Sequence, residues 1–262
     1  MKKILILGSK SEIGNKTLKI LKTHKNLKIY SDQLLKSKSE KDYKKLIINS
    51  SRKINIILNL VGHSGKSRDK LKKSNYEFTR MIVKTLNLLK NKNIKLIHLS
   101  TVGVLDLQNT KKNQYKANNY YEFTKILSEK LITSKNNKFN YLIVRSAALY
   151  DLQSSNFTKN LCNVFLFNKY LFIFNDDSKV YFTKINDLVN LILKLIKGNK
   201  KDKILCISET LGVKSYLKKA KKHSVNIVIF NFFISYFMKK FSDLNSYFNF
   251  KLDNKFLKYF WL

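Results

Sequence analysis

The sequence predicts an α/β fold built on a doubly wound parallel sheet. Three observations carry that expectation. Short apolar runs alternate with stretches of helical spacing, the connections between them are brief, and a glycine-bearing turn over residues 8–14 joins the first run to the first helix. Right-handed crossovers would place helices on both faces of such a sheet.

Each element follows from its residues. Residues 3–7 form the first strand, because Ile4, Leu5, Ile6 and Leu7 run without a polar break, the pattern of a strand covered on both faces. Residues 12–21 carry Ile13, Leu18 and Leu21 at helical spacing. A short strand over 27–30 and a helix over 41–48 come next, then an apolar-rich strand over 54–60. Residues 78–89 place Met81, Ile82, Thr85, Leu86 and Leu89 on one side of a helix. A strand over 95–100, a helix over 121–132 and a strand over 141–145 continue the alternation. Beyond about residue 150 the rhythm loosens. There 156–167 reads as helix, 172–174 and 180–182 as short strands, 187–196 as an amphipathic helix and 203–208 as a strand. No repeat and no Pro/Gly/Ser linker marks a free hinge.

Composition narrows the function classes. Apolar residues are 44% and aromatic residues 13% of 262, enough for a full core and incompatible with global disorder. The two cysteines, Cys162 and Cys206, form no C-x-x-C, and His24, His63, His98 and His223 are scattered. A disulfide framework and a structural metal site are therefore not expected. The first apolar run is too short for a signal peptide, and no uninterrupted apolar stretch is long enough to span a membrane, so a cytoplasmic protein is expected.

The net charge is +35. Only Arg52, Arg68, Arg80 and Arg145 supply the bidentate fork that base-reading proteins favour, and the lysines are spread over every segment. With Asn abundant and Pro absent, A-rich codon usage accounts for the lysines, and nucleic-acid binding is not expected. An anionic small substrate fits the charge equally well. Residues 225–238 are apolar and precede Lys239 and Lys240. The favoured reading packs them in a core; the second lays 225–240 against a membrane surface. The runs over 41–45 and 111–112 read as solvated surface.

Two stretches carry chemistry. Gly8-Ser9-Lys10-Ser11-Glu12-Ile13-Gly14 follows the first strand and opens the first helix. There a parallel sheet binds a dinucleotide: the turn must be tight, the backbone must approach the diphosphate, and the helix N-terminus offers N–H groups. Ser11 stands where the middle glycine of G-x-x-G-x-x-G is usual. Asp32 follows the second strand, where an acid can accept from the adenosine ribose hydroxyls, which favours NAD, although Lys10 would suit the 2′-phosphate of NADP. Second, Tyr121 and Lys125 stand at i and i+4 on one helix face. An ammonium so placed lowers a phenol's pKa and equips it as a general acid/base. Ser100 and Thr101 end a strand some twenty residues earlier, at the edge where such sheets place ligands.

These residues resemble the extended short-chain dehydrogenase/reductases, and within them the NAD-dependent nucleotide-sugar epimerase/dehydratase group. The likeness runs in order along nearly the whole chain. It takes in residues 4–14, Leu58-Asn59-Leu60-Val61-Gly62, the helix from Asn75 to Leu89, Leu99-Ser100-Thr101-Val102-Gly103-Val104, Tyr121-x-x-x-Lys125 and Val144 to Tyr150. It continues through Ser155-Asn156-Phe157, Phe182 to Leu188, and Phe248 to Trp261. The resemblance implies a Rossmann-type domain over 1–150, with some later segments returning to it, and a smaller substrate-binding region over 151–262. It implies Tyr121 as acid/base, Lys125 as its tuner and a holder of the nicotinamide ribose, and Thr101, with Ser100 as second choice, bonding the reacting oxygen. It places Gly8, Ser11, Glu12, Ile13, Gly14, Asp32, Leu60, Val61, Gly62 and Lys125 at the cofactor, NAD with NADP not excluded. Thr101, Tyr121 and Asn156 would meet a nucleotide sugar, a UDP-sugar by preference.

The departures are Ser11, Ser146 in place of a proline, Asp151 in place of a glycine, and no diphosphate-clamping arginine among Lys179-Val180-Tyr181. Val102 and Gly103 replace the Asp-Glu pair of dehydratases, which argues against dehydration. The expectation is an epimerase or 4-keto reductase of surface-polysaccharide sugar synthesis, a homodimer being common in the family. The alternative is a non-catalytic dinucleotide-binding or membrane-associated protein of the same fold.

Overall fold

The computed structural model describes residues 1–35, 39–65, 67–89, 93–105, 114–150, 170–173, 179–197, 202–207, 209–212 and 226–229. Asn156, the expected helix over 156–167, and 225–240 apart from 226–229 lie outside them. The chain divides into two compact units, Met1–Ala147 with Ile185–Cys206, and Ala148–Lys184 with Ile207–Leu262.

The first unit runs β1 (Lys2–Leu7), α1 (Glu12–Lys22), β2 (Leu27–Ser31), α2 (Glu40–Ser50), β3 (Ile56–Asn59), α3 (Arg68–Leu71), α4 (Phe78–Leu88), β4 (Lys95–Thr101), α5 (Tyr120–Ile132) and β5 (Asn140–Ser146). The second unit takes β6 (Ala148–Tyr150), β7 (Tyr170–Ile173) and β8 (Lys179–Lys184). The chain then returns to the first unit for α6 (Ile185–Lys197) and β9 (Asp202–Cys206), before β10 (Glu209–Gly212) and β11 (Asn226–Ile229) of the second.

Six strands form one sheet in the order β2-β1-β3-β4-β5-β9, and every pair in it is parallel. The chain winds outward from β1 to β2, then reverses to β3, so the switch point lies between β1 and β3. Ligands of open α/β sheets bind at that crevice. This is the expected doubly wound α/β architecture. In the second unit β10-β8-β6 form a three-stranded sheet and β11-β7 a parallel pair. Residues 226–229, which composition left between core and membrane surface, are the strand β11.

β1, β3, β4 and β5 are buried on both faces along their apolar runs, while the edge strand β2 is only partly buried. Leu5, Leu7, Ile57, Leu96 and Ile143 pack with Tyr43 and Ile47 of α2, Met81, Ile82 and Leu86 of α4, and Ile132 of α5. By the two-residue period of a strand, Ile4, Ile6, Ile56, Leu58, Ile97 and Leu142 face the opposite side. Each fully buried side chain of this size contributes roughly 1.5–3 kcal/mol of transfer free energy.

Strands β6, β10 and β11 were not foreseen, and near the sheet's switch point one further stretch departs from the expected pattern. The helix foreseen over 78–89 is preceded by α3 and by a π-helical stretch, Lys72–Glu77. Its polar run, Lys72-Lys73-Ser74-Asn75, has no apolar period to reveal it, while Ser67 caps α3 through the N–H of Lys70. The π turn places Asn75, fully buried, toward α5.

Candidate functional site

The loop after β1 is shaped by two glycines that tolerate no side chain. Gly8 has φ +84°, and a Cβ on it would stand 2.8 Å from the N of Val61. A Cβ on Gly14 would stand 2.0 Å from the carbonyl oxygen of Gly8. Ser11, in the middle position, is the N-cap of α1: its Oγ accepts from the N–H of Gly14 at 3.0 Å and donates to the carbonyl of Gly8 at 2.8 Å. The extra hydroxyl thus closes the loop on itself. The N–H groups of Glu12 and Ile13, in the first turn of α1, have no helical acceptor and stand at the positive end of the helix dipole. Asn59 accepts from the N–H of Val61 at 3.1 Å, and Leu60 donates to the carbonyl of Leu7, so the 60–62 backbone is held beside Gly8. This cradle of backbone, closed to any Cβ, fits a diphosphate.

Asp32 sits directly beyond β2 and is 5% exposed. One carboxylate oxygen accepts from the N–H of Gly8 at 2.8 Å and from the hydroxyl of Tyr43 at 3.1 Å. The other accepts from both the N–H, at 3.0 Å, and the hydroxyl of Ser9. Burial first, and the facing Asp32 carboxylate second, push the Tyr43 phenol well above its usual range.

Tyr121 and Lys125 share a face of α5, whose N-terminus is capped by Asn119 accepting from the N–H of Glu122 at 2.9 Å. Tyr121 is half-buried; Lys125 is 4% exposed and donates from Nζ to the carbonyl of Leu99 at 3.0 Å. Desolvation lowers the Lys125 pKa to about 8, and the carboxylate of Glu129 opposes that shift. A Cβ on Gly62 would lie 3.3 Å from that ammonium, so glycine leaves the lysine open to the 60–62 backbone. Thr101 ends β4 and accepts from the N–H of Gly103 at 3.3 Å, starting the 3₁₀ turn Val102–Val104. Gly8, Gly62 and Thr101 all follow or end parallel strands at their C-terminal edge.

Ser100 is turned elsewhere. Its hydroxyl donates to Glu129 at 2.6 Å, inside a buried network that composition did not reveal. Glu129, fully buried, also accepts from Arg145 through Nε and Nη2, at 2.6 to 3.2 Å, and from the hydroxyl of Tyr115 at 2.9 Å. Spacing held the clue, since Glu129 continues the i, i+4 series of Tyr121 and Lys125. Asn75 is the second residue without an assigned role. It accepts from the N–H of His63 and donates to the carbonyl of His63 and to Thr124, tying the loop after Gly62 to α5. His98, between Asn59 and Ser100 on this face, is held well below the usual histidine range by burial and then by the Lys125 charge.

Among the described residues no cluster of His, Cys, Asp and Glu is assembled that could hold a metal ion, and no helix is long and apolar enough to cross a membrane.

The family model described as the RmlD substrate binding domain matches residues 1–232. A search of curated proteins finds no match. Among solved structures the chain is similar to a dTDP-4-dehydrorhamnose reductase from Clostridium acetobutylicum. The TM-score is 0.70 at 21% identity, over 87% of this chain and 84% of that one. The same enzyme from Bacillus anthracis, solved with NADP, gives 0.69 at 19% identity, over 88% and 85%. UDP-glucuronic acid 4-epimerase from Bacillus cereus, solved with NAD, gives 0.67 at 18% identity, over 87% of each chain. A family match over most of the chain, on this sheet and loop, assigns the protein: it belongs to the family of the RmlD substrate binding domain, within the extended short-chain dehydrogenase/reductases.

Proposed function

We propose that the protein is an NAD(P)-dependent nucleotide-sugar reductase or epimerase that works at a sugar carbon bearing a hydroxyl or keto group. The observation that carries this reading is the buried Lys125 beside the end of β4, one helical turn beyond Tyr121 on the same face of α5. A module that only bound a dinucleotide could use the lysine but would have no need of a phenol one helical turn before it.

When bound, the nicotinamide cofactor supplies or accepts the hydride. The N–H groups of Glu12 and Ile13 would hold its diphosphate, with Gly8 and Gly14 keeping the loop backbone close, and Lys125 would hold the nicotinamide ribose. The phenol of Tyr121 gives its proton to the sugar oxygen in reduction and takes it back in oxidation. The Lys125 ammonium favours the phenolate left behind. The hydroxyl of Thr101 bonds the same sugar oxygen and fixes which face of the carbon is presented. A dTDP- or UDP-linked sugar with a keto or hydroxyl group at C4 is the substrate class, in keeping with a dTDP-4-dehydrorhamnose reductase and a UDP-glucuronic acid 4-epimerase as neighbours, and surface-polysaccharide sugar synthesis is its setting.

Thermal unfolding with and without NAD, NADP and a dTDP-4-keto-6-deoxy sugar tests this reading, because a ligand that binds only the folded chain raises Tm by mass action. Turnover of that sugar with NADPH should fall at least a hundredfold in Tyr121→Phe, with cofactor affinity kept within twofold. If neither cofactor shifts Tm at concentrations far above ordinary dissociation constants, the enzyme reading fails and a non-catalytic role for the fold takes its place.

A further inference from the structure

Asp32 stands where an acid usually addresses the adenosine ribose, yet its acceptor positions are filled by the chain itself. A carboxylate offers about four lone-pair positions on its two oxygens. Gly8 N–H and the Tyr43 hydroxyl occupy one oxygen, and Ser9 N–H and the Ser9 hydroxyl the other. The partners come from two directions. Gly8 and Ser9 belong to the loop, while Tyr43 reaches across from α2, where its ring meets that of Phe78 of α4 edge-on at 4.7 Å. With both the carboxylate and Tyr43 buried, a ribose hydroxyl could join Asp32 only by displacing one of these donors. Three of the four bonds, those from Ser9 N–H, the Ser9 hydroxyl and the Tyr43 hydroxyl, are buried, and a donor displaced there would be left unpaired, which costs more than one new hydrogen bond returns.

We propose that Asp32 is a positioning residue: it braces the diphosphate loop through Gly8 and Ser9 and does not read the ribose 2′-position. This rests on the dinucleotide reading above and deepens it. Gly8 holds φ +84° and the helix that follows depends on that turn, so the brace fixes the direction in which the N–H groups of Glu12 and Ile13 point. Loss of the brace should weaken whatever binds through the diphosphate, irrespective of the group on the ribose.

The test is calorimetric titration of the full chain and of Asp32→Asn with NAD and with 2′-deoxy-NAD, beside amide hydrogen exchange of Gly8 and Ser9. The expected result is that the wild-type chain binds the two ligands within about twofold of each other. Asp32→Asn should weaken both by the same factor, tenfold or more, and speed exchange at Gly8 and Ser9. A wild-type preference of tenfold or more for NAD, abolished in Asp32→Asn, would overturn the proposal and restore a ribose ligand. Should Asp32→Asn fail to fold, Ser9→Ala removes one donor and leaves the acid. It should weaken both ligands equally, and a loss confined to NAD would again overturn the brace. If the wild-type chain binds neither ligand, the dinucleotide reading falls. Slow exchange at Gly8 and Ser9, lost in Asp32→Asn, would then still support the brace, and fast exchange in both would overturn it too.

Discussion

The ammonium of Lys125 donates to the main-chain carbonyl of Leu99 at 3.0 Å while almost fully removed from water. The folded chain releases this proton near pH 8, whereas the unfolded chain keeps it to about 10.5. Between those values the unfolded state binds more protons, so this group makes stability rise with pH across the window. Below pH 8 the buried charge costs on the order of 3 kcal/mol. Lys125→Met should therefore raise Tm at pH 7, with the advantage over wild type shrinking by pH 10, while turnover is lost. Denaturation at several pH values decides it; parallel slopes for the two proteins would refute the assignment.

The Glu129–Arg145 pair makes a second forecast. Removing one partner of a buried pair strands the other charge, at a cost of about 3–5 kcal/mol. Glu129→Leu and Arg145→Met should each destabilise by about that amount in urea denaturation. The Glu129→Leu/Arg145→Met double variant should recover more than half of the sum, and strict additivity of the two losses would count against the pair.

Asn75 joins the loop after Gly62 to α5 through three hydrogen bonds. At roughly 1 kcal/mol each, Asn75→Ala should cost about 3 kcal/mol. Thr124→Val removes one of the three together with the bond that the Thr124 hydroxyl donates to the carbonyl of Tyr121, and should cost about 2 kcal/mol. Equal losses for the two would show that Asn75 works through packing alone.

Ser11 caps α1 from the position where a glycine is usual. Ser11→Ala should lower stability by about 1 kcal/mol, and Ser11→Gly by only a few tenths, because glycine lets water reach the freed N–H groups. Denaturation midpoints of the two variants give the answer, and a larger loss for glycine than for alanine would contradict the cap.

The sheet was legible in the sequence for a definite reason. Strands covered on both faces must be apolar throughout, and Ile4 to Leu7 could be little else. Tyr121 with Lys125, and Gly8 with Gly14, were legible because helix pitch and turn geometry impose fixed spacings. Asn75 was hidden by the π-helical stretch, which breaks the 3.6-residue period on which such readings depend. Glu129 was hidden because a carboxylate on a helix of a lysine-rich chain reads as solvated surface; only the strands beneath show that Ser100 and Arg145 surround it. The direction of Asp32 depends on donors from α2 and the loop, and no local pattern announces where a side chain will turn.

The way the first unit is interrupted has a consequence for synthesis. β5 pairs on one side with β4 and on the other with β9, yet the thirty-seven residues of Ala148–Lys184 separate Ala147 from the α6 segment that leads to β9. A ribosome that has released only the first 147 residues therefore holds a five-stranded sheet with the edge of β5 bare, from Leu142 to Ser146. Bare parallel edges invite pairing with other chains. The nascent protein is thus most exposed to aggregation from the completion of β5 until β9 has emerged, and a chain stopped near residue 147 would keep that edge bare.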